Sequence, residues 1–470
     1  MRRIALVLCS ALVVAGCAGD SGGSQSARDQ PLSTYSSPSV SAGVPPKAPR
    51  GTTDQQQTEF PITVSEDERY LIDATGAPFL LHGDAAWSYT VQLSLNEAED
   101  YLDVRQAQGF NALIVSLIEH HFADNPPRNA DGEEPFLTPG DFSTPNEAYF
   151  DHVDRLLELA RQRGFVVLLA PAYLGYQGGD EGWFEEMIDN GAETLREYGR
   201  YVGARYANFD NIIWLEGGDF NPPDEWLHLV NAVVDGIVEF DPDSLHAASW
   251  SPEVAGLDVP FEWIDINTVY TYEPGYIASA EQFSDHGDVP QILLETEYEA
   301  ERESTTPQTL RAQAYYAILT GSVGQVYGHG DIWQFTENWR EALRAPGVVG
   351  MVHFAEILST LPWHELVPDL ENERLIEGIG LFGTMDFAVA AATPERDLAV
   401  IYVPSMRNLR LDLSGFDGPI HAHFYDPTDG SRHVVDGSPL QPSSGVTLRL
   451  PAYNALADSD WVIVLEQSSS

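Results

Sequence analysis

The sequence between residues 60 and 365 alternates short apolar runs with amphipathic stretches, and this alternation most constrains the fold. The apolar runs have the length and composition of buried strands, and they lie at 78–83, 111–118, 165–170, 211–216, 245–249, 264–270, 291–295 and 323–328. Helical periodicity is clearest at 96–108, 147–163, 191–206, 225–239, 307–319 and 340–360. The segment after the fifth run is short and only weakly helical. Strands that alternate with helices form a parallel sheet covered on both faces, so the pattern predicts an α/β fold, a (β/α)8 TIM barrel.

The helical period disappears after about residue 375. Apolar runs at 387–391, 398–403 and 461–465 then alternate with turn sequences such as 427–430. Short strands separated by turns predict a small antiparallel β-sandwich. We therefore expect a barrel domain over residues 59–374 and a C-terminal sandwich over residues 375–470.

The first residues have the features of an export signal. A basic Arg2-Arg3 pair precedes an apolar stretch, 4–15, that is too short to span a membrane comfortably. Residues 14–17, Val-Ala-Gly-Cys, resemble the bacterial lipobox, in which the cysteine is lipidated. The sequence thus predicts a lipoprotein signal peptide over residues 1–17, with a membrane anchor at Cys17 and a cell-surface or periplasmic location. The alternative is an ordinary cleaved signal peptide and a secreted protein.

Residues 18–58 are rich in Ser, Gly, Pro, Gln and Thr. A segment with so few large apolar residues cannot bury enough surface to fold, so we predict a disordered tether.

The net charge and the motifs of the chain exclude several classes of ligand. It has 24 basic and 72 acidic residues, a formal net charge of −48, which would repel nucleic acid. No dinucleotide, phosphate-loop, zinc or Gly-x-Ser-x-Gly motif is present in the sequence. Glu119, His120 and His121 are consecutive, but neighbouring side chains on a strand diverge, so we predict no metal site there. The sequence implies no cofactor.

Two of the apolar runs stop abruptly in carboxylates. The fourth is followed by Glu216 and Asp219, and the seventh by Glu295 and Glu297. Barrel active sites lie at the carboxyl ends of the strands, and strands four and seven lie on opposite sides of the mouth. Glycoside hydrolysis needs an acid for the leaving oxygen and a carboxylate beside the anomeric carbon. Asp219 and Glu295 could supply them, although side-chain alternation leaves Glu216 and Glu297 as competitors.

Other residues at predicted strand ends are candidates for substrate binding. They follow strands one, two, six and eight, and they are Asp84, Trp87, His120, Tyr270, Tyr272, His329 and Trp333. Glu216 and Glu297, at the ends of strands four and seven, are also candidates for substrate binding. The alternative for each is packing at the barrel end. A nucleophilic Glu295 must stay ionised, and Tyr298, Tyr270 or His329 could donate the hydrogen bonds that favour this form.

Several motifs together resemble the apiosidase-like glycoside hydrolases, family 140 in the usual numbering. The matching segments follow the strand order of the barrel, and they are 82–87 (HGDAAW), 214–219 (WLEGGD), 294–299 (LETEYE), 311–316 (RAQAYY) and 327–330 (YGHG). Residues 424–430 (FYDPTDG) are similar to the sandwich often attached to this family, which carries a collagen-binding label.

The resemblance implies that Asp219 is the acid/base and Glu295 the nucleophile of a retaining mechanism. It implies a polysaccharide or oligosaccharide substrate with apiosyl or other furanosyl side-chain linkages. One departure lies at strand seven, where Leu294-Glu295-Thr296 stands in place of the usual Gly-Glu-Pro. The alternatives are a non-catalytic protein that binds glycan or matrix, and an endo-glycanase with the same barrel.

Overall fold

A computed structural model describes residues 58–259 and 261–468. The predicted signal peptide with Cys17, and the predicted tether up to residue 57, lie outside the described residues. The barrel and the sandwich belong to one compact unit. Within the described ranges, no helix has both the length and the apolar character needed to cross a membrane.

The barrel follows a short antiparallel hairpin, β1 (Thr63–Val64) and β2 (Leu71–Ile72). Its eight strands are β3 (Leu81–Ala85), β4 (Ala112–Ser116), β5 (Val166–Ala170), β6 (Ile212–Gly217), β7 (His246–Ser249), β8 (Asn267–Tyr270), β9 (Gln291–Glu295) and β10 (Gly324–Tyr327). They form one parallel sheet in the order β7-β6-β5-β4-β3-β10-β9-β8. A single bridge from Ala247 to Ile266 joins the two ends, so the barrel nearly closes. The predicted barrel is therefore confirmed.

The helices that cover the barrel are α1 (Tyr89–Gln92), α2 (Leu95–Ala107), α3 (Glu147–Gln162), α4 (Phe184–Tyr206), α5 (Leu227–Val238), α6 (Tyr276–His286), α7 (Pro307–Leu319), α8 (Trp339–Ala342) and α9 (Pro346–Ser359). Only a 3-10 turn, Gly256–Asp258, follows β7, in agreement with the weak helical signal there. Strands β3 to β6 are buried throughout, because helices cover one face and the barrel interior the other. This burial explains why they appear in the sequence as continuous apolar runs.

The sandwich consists of antiparallel strands in two sheets. Its strands are β11 (Val367–Pro368), β12 (Leu375–Glu377), β13 (Val389–Ala392), β14 (Leu398–Val403), β15 (Asn408–Asp412), β16 (Ile420–Tyr425), β17 (Arg432–Val434), β18 (Ser444–Arg449) and β19 (Trp461–Gln467). The larger sheet has the order β11-β13-β14-β19-β16-β17, and the smaller has the order β12-β15-β18. The sequence predicts the domain boundary at residue 375. Strand β11, which belongs to the larger sheet, lies before this residue.

The larger sheet of the sandwich packs directly on helix α7 of the barrel. Tyr315 of α7 stacks on Tyr402 of β14, with 5.0 Å between ring centroids. Arg311 of the same helix is fully buried and donates to both carboxylate oxygens of Asp460 at 2.9 and 3.1 Å. Tyr402 donates to the same carboxylate at 3.0 Å. The sandwich thus shares a buried polar network with the catalytic barrel.

Candidate active site

Asp219 reaches the mouth of the barrel through a sharp distortion at the end of β6. Trp214 faces the helices, since its indole donates to Asp241 just after α5 at 2.9 Å. Three consecutive residues then take positive φ: 89° at Gly217, 117° at Gly218 and 42° at Asp219. Positive φ is uncommon for a residue other than glycine and is often found at functional sites. This turn breaks the alternation of the strand and redirects the carboxylate.

Glycine at position 218 is also required by close packing. A Cβ placed there would lie 2.2 Å from a ring carbon of Tyr173. The hydroxyl of that tyrosine donates to Asp219 Oδ2 at 2.7 Å. The glycine therefore permits the approach that places a hydrogen-bond donor on the candidate acid.

Glu295 reaches the same mouth through an irregularity in β9. Gln291 and Leu293 face the helices, because Gln291 donates to Ser279 of α6 at 2.8 Å and Leu293 packs against Ala317 of α7. The pairing of β9 with β8 then shifts by one residue between Leu293 and Glu295. Such a β-bulge re-aims the side chains that follow it. Regular alternation would place Glu295 on the same face of the strand as Gln291 and Leu293. Because of the bulge, Glu295 does not share that face.

Tyrosine hydroxyls surround the two carboxylates. Tyr173 donates to Asp219 at 2.7 Å, and the nearby hydroxyls of Tyr270 and Tyr298 lower the pKa values of Asp219 and Glu295, respectively. Burial raises the pKa of Tyr270, and the negative charges of Glu295 and Asp219 raise it further. Asp219 and Glu295 therefore form one cluster at the carboxyl ends of barrel strands four and seven.

Burial and mutual repulsion set the protonation of this pair. Burial raises the pKa of Asp219, against the opposing hydrogen bonds from Tyr173 and Tyr270. Burial also raises the pKa of Glu295, and the charge of Asp219 raises it further. Two carboxylates in such contact lose their protons in two steps that belong to the pair. The second proton therefore leaves at a higher pH than from an isolated carboxyl group.

Aromatic rings form one side of the mouth. Trp87 lies 5.7 Å from Tyr173 between ring centroids, and its indole donates to the hydroxyl of Tyr298 at 3.2 Å. Phe122 lies 6.1 Å from Tyr173 and 4.9 Å from Trp333. The structure thus brings the predicted residues Trp87 and Trp333 to the carboxylate cluster, through Tyr298 and Tyr173.

Tyrosines and charged residues form another part of the rim, near Asp219 and Glu295. Tyr270 and Tyr272 share a hydrogen bond of 2.8 Å between their hydroxyls, and burial raises the pKa of Tyr272 to about 12. The guanidinium of Arg302 lies 4.4 Å from the ring of Tyr272 and 3.4 Å from Glu297. Glu297 also accepts from Thr305 at 3.0 Å, so its carboxylate is held by the rim.

Asp84 is a correction to the sequence analysis. It is fully buried and forms an ion pair of 2.5 Å with Arg105 of α2. Tyr101 of the same helix donates to it at 2.7 Å. The predicted sugar contact is wrong, because this carboxylate is sealed beneath α2 and fixes that helix to the barrel.

Two further candidates, Glu216 and His329, are buried. Glu216 is 3 % exposed, and its nearest ionisable partner in the described structure is His246 at 3.6 Å. Burial raises the pKa of Glu216. His329 is 5 % exposed and accepts the backbone N–H of Asp331 at 3.0 Å. The contacts described for Glu216 and His329 do not join them to Asp219 or Glu295.

Glu119 and His120, which follow β4, have separate partners. Glu119 turns inward and accepts the backbone N–H of Ala123, and burial raises its pKa to about 7. His120 turns toward α4, where its Nε2 lies 3.0 Å from Glu186. Among the residues that the structure describes, no group of three or more His, Cys, Asp or Glu side chains is arranged to hold a metal ion.

Sequence reasoning missed two contributors to the site. Tyr173 donates to Asp219, but it lies in a loop after β5 with no motif around it. Glu301 accepts from the indole of Trp333 at 2.8 Å, and its charge raises the pKa of Glu295. Its position shortly after Glu295 and Glu297, in an acid-rich segment, was the available signal.

Comparisons with known proteins agree with this fold. The model of the apiosidase-like catalytic domain matches residues 65–365. A second model, described as "Putative collagen-binding domain of a collagenase", matches residues 384–466. No curated protein sequence matches the chain.

Two solved structures resemble the chain over most of its length. A glycoside hydrolase family 5 protein from Bacteroides vulgatus ATCC 8482 has a TM-score of 0.74 at 22% identity, with 88% of this chain and 96% of that chain covered. A structure named glycoside hydrolase has the same TM-score and identity, with 88% of this chain and 99% of that chain covered. At this identity the likeness shows a shared fold.

The barrel, its carboxylate cluster and the matching catalytic domain define a glycoside hydrolase. The chain belongs to the apiosidase-like family, whose catalytic-domain model covers most of it.

Proposed function

We propose that this enzyme hydrolyses apiosyl or other furanosyl linkages in polysaccharide side chains, with retention of anomeric configuration. The observation that carries the proposal is the buried cluster in which Asp219 and Glu295 influence each other's charge. Two carboxylates with shifted pKa values at one site are what general acid catalysis and nucleophilic attack require. The family resemblance supports the type of sugar.

In this mechanism Asp219 protonates the oxygen of the leaving group while Glu295 attacks the anomeric carbon. The bond to the leaving sugar breaks as the bond to Glu295 forms, giving a covalent glycosyl-enzyme. Asp219, now ionised, accepts a proton from water, and that water releases the sugar from Glu295. Tyr298 supports the attack, since its hydrogen bond lowers the pKa of Glu295 and favours the carboxylate.

The substrate has to influence where the proton of the pair resides. The hydroxyl of Tyr173 donates to Asp219 at 2.7 Å, which favours an ionised Asp219 and hence a protonated Glu295 in the free enzyme. Positive charge that develops on the sugar ring beside Glu295 favours the opposite distribution. Binding of the sugar and the approach to the transition state therefore place the proton on Asp219.

The test begins with hydrolysis of furanosyl nitrophenyl glycosides and pectic oligosaccharides. Asp219→Asn and Glu295→Gln should each lower turnover by about 100-fold or more with unchanged circular dichroism. Glu297→Gln is the matched control, because Glu297 lies on the same rim and binds Thr305. Full activity of Glu295→Gln, together with loss in Glu297→Gln, would transfer the nucleophile to Glu297.

The stereochemical course is tested separately. Proton NMR of the first product should show the anomer of the substrate. Azide added to Asp219→Ala should yield a glycosyl azide of retained configuration, whereas azide added to Glu295→Ala should yield the inverted one. An inverted first product from the unmodified enzyme would exclude the covalent intermediate.

We also propose that the enzyme is exported and anchored to a membrane by a lipid on Cys17. The basic pair, the short apolar stretch and the Val-Ala-Gly-Cys sequence support this proposal. Radiolabelled palmitate should label the unmodified protein in a bacterial host and not the Cys17→Ser variant. Equal labelling of both proteins would contradict the anchor.

A further inference from the structure

A cavity lies at the active-site end of the barrel, outside the carboxylate cluster. It has a volume of about 330 Å³ and lies between the long segment after β4 and the start of α4. Small-molecule sites in proteins have volumes of roughly 300–1,000 Å³. The cavity therefore has room for a sugar residue.

Part of the cavity lining is apolar and stiff. Its apolar residues are Pro127, Pro135, Phe136, Pro139 and Trp183. Proline has a fixed φ and no backbone N–H, so the prolines offer apolar surface without a donor. The C–H face of a sugar ring can pack against such a surface.

The polar lining residues are His120, Glu134, Glu186 and Asp189. Two of these carboxylates already have side-chain partners: Glu186 lies 3.0 Å from His120, and Glu134 pairs with Arg128. Carboxylate oxygens that accept hydrogen bonds suit the hydroxyl groups of a sugar. An anionic sugar would be repelled by the same oxygens, so the lining favours a neutral one.

The cavity is linked to the catalytic acid by a short series of contacts. The ring of His120 lies 4.6 Å from the ring of Trp183. The backbone N–H of Trp183 donates to the backbone oxygen of Tyr173 at 2.8 Å. The hydroxyl of Tyr173 donates to Asp219 at 2.7 Å. The cavity thus lies on the side of the mouth where Asp219 would protonate the leaving group.

We propose that this cavity binds a neutral sugar residue on the leaving-group side of the cleaved bond. The assignment of the cavity to the leaving-group side depends on the proposed catalytic roles of Asp219 and Glu295. The binding of a neutral sugar depends only on the lining of the cavity. The apolar residues of the lining pack against the sugar ring, and His120, Glu186 and Asp189 form hydrogen bonds with its hydroxyl groups.

Direct binding tests the site without turnover. Glu295→Gln protein is mixed with the methyl glycosides of arabinose, galactose, xylose and rhamnose, and binding is followed by saturation-transfer difference NMR. Adding Glu186→Gln or His120→Ala should weaken the binding of at least one glycoside by about tenfold, since each removes one hydrogen-bonding group. Glu185→Gln is the matched control, because Glu185 lies next to Glu186 and is exposed outside the cavity lining.

The outcomes separate this inference from the proposed function. Loss of binding in Glu186→Gln but not in Glu185→Gln supports the site, even if no glycoside is hydrolysed. Equal binding by all variants, or no binding of any of the four glycosides, overturns it. With an active enzyme, Glu186→Gln should raise KM for an oligosaccharide and leave KM for a nitrophenyl glycoside unchanged. An equal rise for both substrates would overturn the placement on the leaving-group side.

Discussion

Glu119 contributes to the pH dependence of the stability of this enzyme, and replacing it by glutamine should remove that contribution. Burial raises the pKa of Glu119 from 4.5 to about 7. The folded state therefore binds its proton more tightly than the unfolded state. This stabilisation is fully present below pH 4.5 and is lost as the pH rises to about 7. One pKa unit corresponds to about 1.4 kcal/mol, so the loss is roughly 3 kcal/mol above pH 7.

Glutamine keeps an oxygen that can accept from Ala123 and carries no charge to desolvate. Glu119→Gln should therefore match the unmodified enzyme near pH 4.5 and be more stable by roughly 3 kcal/mol near pH 8. The measurement is urea unfolding at both pH values, followed by tryptophan fluorescence. Glu185→Gln is an exposed control. If the two proteins lose stability equally between pH 4.5 and pH 8, the carboxyl group of Glu119 does not carry the predicted cost.

Three further predictions follow from the same structure. Tyr173→Phe removes a hydrogen bond that lowers the pKa of Asp219, so the basic limb of the pH profile of kcat should move to higher pH. A shift to lower pH would contradict the proposed effect of this hydrogen bond on Asp219. Gly218→Ala places a Cβ 2.2 Å from a Tyr173 ring carbon and should lower turnover at least about tenfold in a nitrophenyl glycoside assay; unchanged turnover would show that the turn is permissive. Arg311→Met leaves the buried Asp460 without its cation and should lower the free energy of unfolding in urea by about 3–5 kcal/mol. Adding Asp460→Asn to this variant should restore part of the loss. A smaller loss in the single variant would show that water reaches the junction between barrel and sandwich.

The barrel could be predicted from the sequence because its strands are covered on both faces. A run such as Ala112–Ser116 is buried at every position, so it appears as an uninterrupted apolar segment between two amphipathic helices. The packing of the sandwich on the barrel could not be predicted in this way. It depends on contacts such as that between Arg311 and Asp460, which are 149 residues apart in the chain.

Side-chain partners limited the prediction of the site in the same manner. Asp84 lies near the carboxyl end of barrel strand β3, as a substrate-binding residue would, but its ion pair with Arg105 of α2 makes it structural. A carboxylate at a strand end has the same local sequence in both cases. Tyr173 illustrates the converse, since its role depends on the approach of Gly218 and Asp219 from another strand.

The two catalytic candidates share one property that residue alternation hides. Asp219 is re-aimed by positive φ angles and Glu295 by a shift in strand pairing, so each departs from regular strand geometry at the position where chemistry is required. The shift at β9 falls at Leu294-Glu295-Thr296, the segment in which the motif resemblance leads us to expect Gly-Glu-Pro. It is held by a hydrogen bond of 3.1 Å from the backbone of Thr271 to the carbonyl of Glu295, which requires neither that glycine nor that proline. The altered segment can therefore keep the carboxylate in place, and differences in substrate choice should arise in the rim that follows, where Glu297, Glu301 and Arg302 lie.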